Sequence, residues 1–170
     1  MSKEKTANNT PAHHNHENFE TGSLEDELRI NQLCKQLLKE FHQYLLEKKQ
    51  LDPLEAGQQA AGADYFLLDF LIDNQRTNIF ASSDLMVKRF AANWYIISNL
   101  EPNIEELNPI LNGTASFYHY CAELKLVEKE TAELIAAASQ QIDYYSQRIE
   151  DFLDISDDGF IAWNRECPLK

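Results

Sequence analysis

The sequence contains few residues that break helices and no long apolar run. Its 170 residues include 5 glycines and 5 prolines, so a β-fold with many turns is disfavoured and long helices are favoured. No apolar stretch approaches the roughly 18–20 residues that span a bilayer, so a membrane is not expected as a partner. The opening MSKEKTANNT has no apolar stretch behind its basic residues, which predicts no secretory signal and a cytoplasmic location.

Paired cysteines and basic charge are also scarce. Cys34, Cys121 and Cys167 are scattered without a C-x-x-C pair, so they are expected to be unpaired, as buried apolar residues or exposed thiols. The chain has 15 Lys and Arg against 28 Asp and Glu, for a net charge of −13. Proteins that bind nucleic acids usually present a basic face, because neutralising phosphates supplies much of their affinity. The charge therefore disfavours nucleic acid as a partner.

The composition divides the chain into three parts. Residues 1–22 are polar with almost nothing to bury, which predicts a disordered leader. Residues 23–153 have apolar positions at spacings of three and four, which predicts one all-α domain of about five helices. Residues 154–170 are expected to form a tail that packs back on this domain through its aromatic and aliphatic side chains.

Capping residues mark the first two helices. Ser23, with Asp26 three residues later, predicts a helix that runs to about residue 49. Asp52 before Pro53 predicts the start of the second helix. The small residues of LEAGQQAAGA that follow permit either close helix approach or fraying, and the nearly all-apolar YFLLDFLIDN continues the helix into the core.

Three further helices are expected at 84–98, 104–123 and 128–153. The middle one is expected as a short turn at 104–107 and then a helix from Pro109, because a proline kinks a helix that continues through it. The last is expected to be one long helix, and its apolar residues step by three and four along a near-heptad seam.

Two of these helices offer surfaces for protein contact. The helix at 84–98 is apolar on two sides, so it is either central or meets a partner. The seam of the last helix, which could pair with a second copy, consists of Leu134, Ala138, Ile142, Tyr145, Ile149 and Phe152. The interface residues predicted from both helices are Leu85, Arg89, Ile96, Leu134, Ile142, Tyr145, Ile149 and Phe152.

Four aromatic and aliphatic motifs follow one another through residues 33–127. They are FHQYL at 41–45, DYFLLDFL at 64–71, DLMVKRF at 84–90, and FYHY at 117–120 followed by Leu126 and Val127. Their order resembles the core-binding, SAM-like helical domain at the N-terminal end of tyrosine recombinases (phage integrases). The resemblance implies a SAM-like, orthogonal helical bundle with a long C-terminal helix.

The resemblance also leaves DNA binding as an alternative function. The catalytic domain of that family, with its arginine, His-x-x-Arg and nucleophilic tyrosine, has no room after Val127. If a surface contacts phosphate, the candidates are Arg76, Lys88 and Arg89. Residues 24–100 nevertheless carry eleven acidic groups against eight basic ones, whereas DNA-binding faces in that family are basic.

Two stretches contain residues that could ligate a metal. His13, His14 and His16 lie close together, and imidazoles suit Ni, Cu or Zn.

The second stretch, DISDDGFIAWNRE at 154–166, places Asp154, Ser156 and Asp158 at the offsets of a calcium loop. Such a loop needs a bidentate glutamate at its twelfth position, where this chain has Arg165. The stretch is therefore interpreted as a packed chain end, and no cofactor is expected.

The chain has no catalytic signature: G-x-S-x-G, a phosphate-binding glycine loop and Glu-x-x-His pairs are all missing. The sequence therefore favours a non-enzymatic cytoplasmic helical domain that acts through contact with a protein partner or through self-association. The alternatives are a nucleic-acid-associated module and a calcium- or metal-binding regulatory protein.

Overall fold

The structure is a computed structural model that describes residues 10–167. Within these residues the chain forms seven helices and three short 3₁₀ turns, and it contains no strand. The helices are α1 (Leu24–Glu47), α2 (53–74), α3 (84–98), α4 (Ile104–Glu123), α5 (Lys129–Ser139), α6 (Ile142–Leu153) and α7 (Gly159–Arg165). The 3₁₀ turns are Ala12–His14, His16–Phe19 and Ile79–Ala81. The all-α prediction is confirmed, but the predicted number of five helices is wrong, and the SAM-like arrangement stays a prediction.

α2 and α3 each change their winding along their length. The α-helical parts are Pro53–Asp64, Asp84–Arg89 and Tyr95–Ser98, and the π-helical parts are Tyr65–Asn74 and Phe90–Trp94. A π turn holds more residues than an α turn, so it rotates the side chains that follow it around the helix axis. This rotation explains why α3 matches no single helical stripe in the sequence. The helix is central, and Phe90, Ala92 and Ile96 are all fully buried. None of the helices in this part of the chain is both long and apolar enough to cross a membrane.

The predicted helix starts are confirmed at α1 and α2. The Ser23 hydroxyl accepts a hydrogen bond from the Asp26 N–H at 3.2 Å, and the Asp26 carboxylate accepts one from the Ser23 N–H at 2.9 Å. These two bonds form a capping box, which satisfies amides that the helix itself leaves free. At α2 the Asp52 side chain accepts from the Glu55 N–H at 3.0 Å, and Pro53 is the first helical residue.

α4 is one helix, so the expected turn followed by a helix from Pro109 is wrong. Asn103 caps the helix by accepting from the Glu106 N–H at 2.8 Å, and Pro109 lies inside it. Pro109 has no backbone N–H, so the helical hydrogen bond to the Glu105 carbonyl is not formed. The loss falls near the start of a 20-residue helix, which continues past it to Glu123.

The predicted single helix at 128–153 is also wrong, because α5 ends at Ser139 and α6 begins at Ile142. The Tyr145 hydroxyl donates to the Ala138 carbonyl at 2.6 Å and stabilises this break. Ala138, Tyr145 and Ile149 are buried in the core, Ile142 and Phe152 are half-buried against it, and Leu134 is exposed. The six residues therefore do not form the continuous exposed seam that was predicted for self-association.

α2 and α4 cross with their backbones in close contact. A Cβ atom at Gly113 would lie 2.1 Å from the backbone oxygen of Gln59, and one at Gly62 would lie 2.7 Å from the Cα of Ile110. Real Cβ atoms do not approach other atoms this closely, so only glycine fits at either position. Of the two possibilities for LEAGQQAAGA, close helix approach is the one the structure adopts.

An aromatic core fills the space between α2, α3 and α4. The Phe90 ring lies 5.2 Å from Phe66 and 5.3 Å from Phe70, measured between ring centroids. Tyr118 is fully buried, and its hydroxyl donates to the Ile79 carbonyl at 2.7 Å, so its polar group is satisfied within the core. The three cysteines are unpaired and buried.

The N-terminal segment, residues 10–22, lies against the bundle, which corrects the prediction of a disordered leader. Phe19 is 1% exposed, and its ring packs edge-on against Phe80 at 4.8 Å. The Thr21 hydroxyl donates to the Arg76 carbonyl at 3.1 Å. The part of that prediction that concerns residues 1–9 falls outside the described residues.

The C-terminal end packs on the bundle through Trp163 of α7, which is 3% exposed. The indole N–H of Trp163 donates to the Arg148 carbonyl at 2.9 Å, and the Arg148 guanidinium donates to the Trp163 carbonyl at 2.8 Å. The guanidinium also lies 4.0 Å from the centroid of the indole ring, a cation–π contact. Arg148 is itself buried and donates to the Ala92 carbonyl, so this contact joins α7 to α6 and α3. Residues 168–170 lie outside the described part of the tail.

We expect the two glycine variants G113A and G57A to change stability in opposite directions. The methyl group of G113A must push α2 and α4 apart, which should cost about 3 kcal/mol or more in the free energy of unfolding. Nothing lies within 4 Å of a Cβ at Gly57 of α2, so G57A should stabilise the protein by roughly 0.5–1 kcal/mol. Urea unfolding of both variants tests this, and a loss in G113A no larger than the change in G57A would contradict the close approach.

Replacing Trp163 with alanine should lower the free energy of unfolding by about 3–5 kcal/mol, because it removes a buried ring that covers a buried guanidinium. The matched control is Phe160→Ala, which removes a ring on the same helix that is 40% exposed and should cost less. Thermal unfolding is measured with calcium and with a chelator. A loss that appears only with calcium would restore the calcium loop.

Candidate metal centre

Two consecutive histidines of the N-terminal segment face α1. They lie in the 3₁₀ turn Ala12–His14, where the His14 N–H donates to the Pro11 carbonyl at 2.9 Å. The side-chain amide of Asn18 donates to the Ala12 carbonyl at 3.0 Å and ties this turn to the next one. These local bonds hold the backbone so that both imidazoles are directed to the same side.

Both imidazoles converge on the carboxylate of Glu40. The His13 Nε2 lies 2.6 Å from Oε1 of Glu40, and the His14 Nε2 lies 2.8 Å from Oε2. The two imidazole rings contact each other edge to face, with their centroids 4.5 Å apart. The side chains of His13 and His14 are 12% and 18% exposed, and that of Glu40 is 41% exposed, so the cluster lies at the edge of the bundle with one open side.

The cluster holds Glu40 in its charged form. Burial by itself would raise the pKa of Glu40, but the hydrogen bonds and charge of His13 and His14 outweigh it and hold the pKa below its usual value. Tyr120 of α4 lies on the other side, and its hydroxyl is 3.4 Å from Oε2 of Glu40. Burial and the charge of Glu40 raise the pKa of Tyr120, so the hydroxyl stays protonated and can donate a hydrogen bond to Glu40.

These three residues have the donor atoms of a transition-metal site. Among the described residues, they are the only set of three His, Cys, Asp or Glu with ligand atoms all within 4.8 Å of one another. Imidazole suits Zn, Cu, Fe and Ni, and two histidines with one glutamate are a known zinc ligand set that leaves a coordination position open. Water is available for the open position, while the protonated Tyr120 donates to Glu40 from the other side.

The present distances are those of hydrogen bonds, so a metal would replace protons. Bond lengths of about 2.0–2.1 Å at tetrahedral zinc put neighbouring ligand atoms roughly 3.3 Å apart. The observed N···O distances of 2.6 and 2.8 Å are shorter, so the imidazoles would move outward by about half an ångström. Each would then bind the metal through Nε2 as a neutral ring with its remaining proton on Nδ1. The 3₁₀ turn lies at the surface, where a shift of this size meets little resistance.

The other predicted metal ligands lie elsewhere. The His16 Nε2 lies 2.7 Å from the Leu126 carbonyl, and its ring stacks on Phe80 at 4.6 Å, so His16 does not join the cluster. Asp154, Ser156 and Asp158, the ligands of the alternative calcium loop, precede α7, which begins at Gly159. The second half of the twelve-residue loop is thus helical and cannot wrap around an ion.

The predicted phosphate contacts are occupied by other partners. Arg76 forms an ion pair with Glu27, and the Lys88 ammonium lies 4.0 Å from the Asp84 carboxylate. Arg89 donates to the side-chain oxygen of Gln75 at 3.3 Å. Glu27 and Asp84 offset the positive charge of Arg76 and Lys88 that phosphate binding would require, while the Gln75 amide leaves the charge of Arg89 in place.

The predicted interface residues of α3 are divided between surface and core. Leu85 is 54% exposed, Arg89 is half-buried, and Ile96 is fully buried, so they do not form one surface. The change in winding explains this division, because the π-helical part of α3 rotates Ile96 away from the face that carries Leu85.

Glu40 and Tyr120 are the site residues that the sequence analysis did not identify. A signal for Glu40 was present, since it lies three residues after Leu37 and four before Tyr44 on the apolar face of α1. A carboxylate at the edge of such a face needs a partner when the face is covered.

Comparison with protein-family models, with curated proteins and with solved structures gives no match to this chain.

Proposed function

We propose that the protein is a non-enzymatic helical domain that binds a divalent transition-metal ion at His13, His14 and Glu40. The observation that carries the proposal is the convergence of two neighbouring imidazoles on both oxygens of one carboxylate. Zinc fits these ligands best, because it accepts two imidazoles and a carboxylate without a further geometric preference. Calcium fits them poorly, since it takes six to eight oxygen ligands.

The site joins two parts of the chain, which makes the metal a regulator of the N-terminal segment. Two of the ligands belong to that segment and one to α1, so the complete ligand set exists only while the segment is docked. A ligand shifts a conformational equilibrium towards the state that binds it better. Bound metal would therefore favour the docked state, which covers Phe80 with Phe19 and His16.

Zinc titration of protein without an affinity tag tests the proposal by calorimetry. We expect a single site whose affinity falls by about 10–100-fold or more in His14→Ala and in Glu40→Gln, because each variant removes one ligand. Zinc at about a hundred times its dissociation constant should add ~2.7 kcal/mol to the free energy of unfolding. It should also slow proteolysis within residues 10–22.

His42→Ala is the matched control, because it removes an imidazole from α1 that belongs neither to the cluster nor to the contacts that dock the N-terminal segment. It should leave the zinc affinity unchanged, and calcium should bind to none of the proteins at the same concentration. An absence of zinc binding would sink the proposal, and so would an affinity that is equal in the original protein, His14→Ala and Glu40→Gln.

A second candidate function is contact with another copy of this chain, as the sequence favours. Leu85 and Leu134 remain exposed from the predicted interface, at 54% and 49%, and their helices α3 and α5 pack against each other. Exposed leucines on packed helices are candidates for a shared apolar patch.

Light scattering at high micromolar concentration tests this second function. If the leucines form an interface, the protein should be a dimer, and the double variant Leu85→Lys with Leu134→Lys should be a monomer, because the apolar patch is replaced by like charges. The control is Leu100→Lys, which changes a fully exposed leucine elsewhere and should leave the dimer intact. A monomer in the original protein removes this candidate and leaves the metal proposal untouched.

A further inference from the structure

A groove lies where α1, α2 and α4 meet, and we call it the Lys49 groove. It consists of three neighbouring concavities of about 260, 540 and 400 Å³, all bordered by Lys49. The first two also share His119, so the smaller pocket and the larger one are adjacent. Ligand sites for small organic molecules have volumes of ~300–1,000 Å³, so this groove has a suitable size.

The helices shape the groove through residue spacing and one turn. Ser116, His119 and Glu123 follow one another at steps of three and four, so they lie on one face of α4 and form one wall. The small side chain of Ser116 leaves room in that wall. After α1, the Leu51 N–H donates to the Leu45 carbonyl at 3.0 Å, and this turn places both leucines in the smaller pocket.

The smaller pocket is apolar with a polar end. Leu45, Leu51 and the ring of Tyr44 provide apolar surface. Gln59 of α2 also lines the pocket, and its Oε1 atom is buried without a hydrogen-bond partner among the described residues. A ligand in this pocket would therefore meet apolar side chains beside the polar residues Gln59, Ser116 and His119.

The outer part of the groove is positively charged, in contrast to the net charge of −13. Lys49 and Lys129 border the larger pocket, and Lys48 borders the third one. Lys129 also lies 3.9 Å from the Glu133 carboxylate, but this pair is largely exposed to solvent and contributes little, so an anion can compete for the ammonium.

Glu123 is the one carboxylate among the described residues that line the three pockets. Glu123 interacts with Tyr44. Burial raises the pKa of Tyr44 to about 12, together with the hydrogen bond to Glu123 and the negative charge of Glu123.

We propose that the Lys49 groove binds a small organic anion. Its apolar part packs against Leu45 and Leu51, and its carboxylate or phosphate lies between Lys49 and Lys129. Both the apolar contact and the charge contact are needed. Apolar contact alone does not discriminate between ligands, and exposed lysines alone bind anions weakly. None of the three proposed metal ligands lines the groove, so this proposal stands independently of the metal proposal.

Calorimetric titration with three probes tests the proposal, with a chelator present to exclude metal binding. The probes are hydrocinnamate, which has a carboxylate, phenyl phosphate, and benzyl alcohol, which has the ring without a charge. At least one anion should bind about tenfold more tightly than the alcohol. The stronger of the two anions identifies the headgroup. Failure of both anions to bind overturns the proposal, and equal binding of the alcohol does so too.

Lys49→Glu and Ser116→Phe test where the anion binds. Lys49→Glu should weaken it by about tenfold or more, because it reverses a charge in the groove. The matched control is Lys39→Glu, which makes the same change at an exposed position of α1 that lines none of the three pockets. Ser116→Phe should fill the smaller pocket and abolish binding, provided that its unfolding transition remains cooperative. Equal weakening in Lys39→Glu and Lys49→Glu would show a general charge effect and overturn the proposed site.

Discussion

The close approach of α2 and α4 is the constraint on which the rest of the structure depends. At Gly62 and Gly113 the two backbones meet without room for a Cβ atom, so the position of α4 relative to α2 is fixed. Because α4 cannot shift, its side chains have fixed destinations: Tyr118 enters the core and reaches the Ile79 carbonyl, while Tyr120 reaches α1. The crossing thus sets the geometry of the core and of one side of the candidate metal centre.

Features with local causes could be predicted from the sequence, whereas those with tertiary causes could not. The capping box of Ser23 and Asp26 needs residues only three apart, so the start of α1 was predictable. The break between α5 and α6 contains no glycine or proline, and glutamines form helices readily. It is stabilised by the buried Tyr145 hydroxyl on the Ala138 carbonyl, a contact that exists only once α6 has packed. The apolar spacing across 128–153 predicted helical structure correctly, but it did not predict that two helices share these residues.

The candidate metal centre shows the same division between local and distant information. The sequence predicts His13 and His14 as possible ligands, because adjacent imidazoles are visible in it. Their partner Glu40 lies 27 and 26 residues away, and composition alone made the segment look disordered. What docks the segment is a small number of contacts at scattered places, including Phe19 in the core and His16 on a carbonyl 110 residues away. Each contact is too distant in the chain to leave a periodic signal.

Two tyrosines connect the metal cluster to the Lys49 groove. Tyr120 donates a hydrogen bond to Glu40, and Tyr44 is hydrogen-bonded to Glu123. The centroids of the two tyrosine rings lie 4.7 Å apart. Burial and the neighbouring carboxylates raise the pKa of both hydroxyls, so each remains a donor. Glu40, whose pKa lies below its usual value, is charged beside the protonated Tyr120. Tyr120 borders the groove and contacts Glu40 of the cluster, and Tyr44 borders the groove and packs on Tyr120. A movement of the Tyr120 ring would therefore alter both sites, and a movement of Tyr44 would reach the cluster through Tyr120.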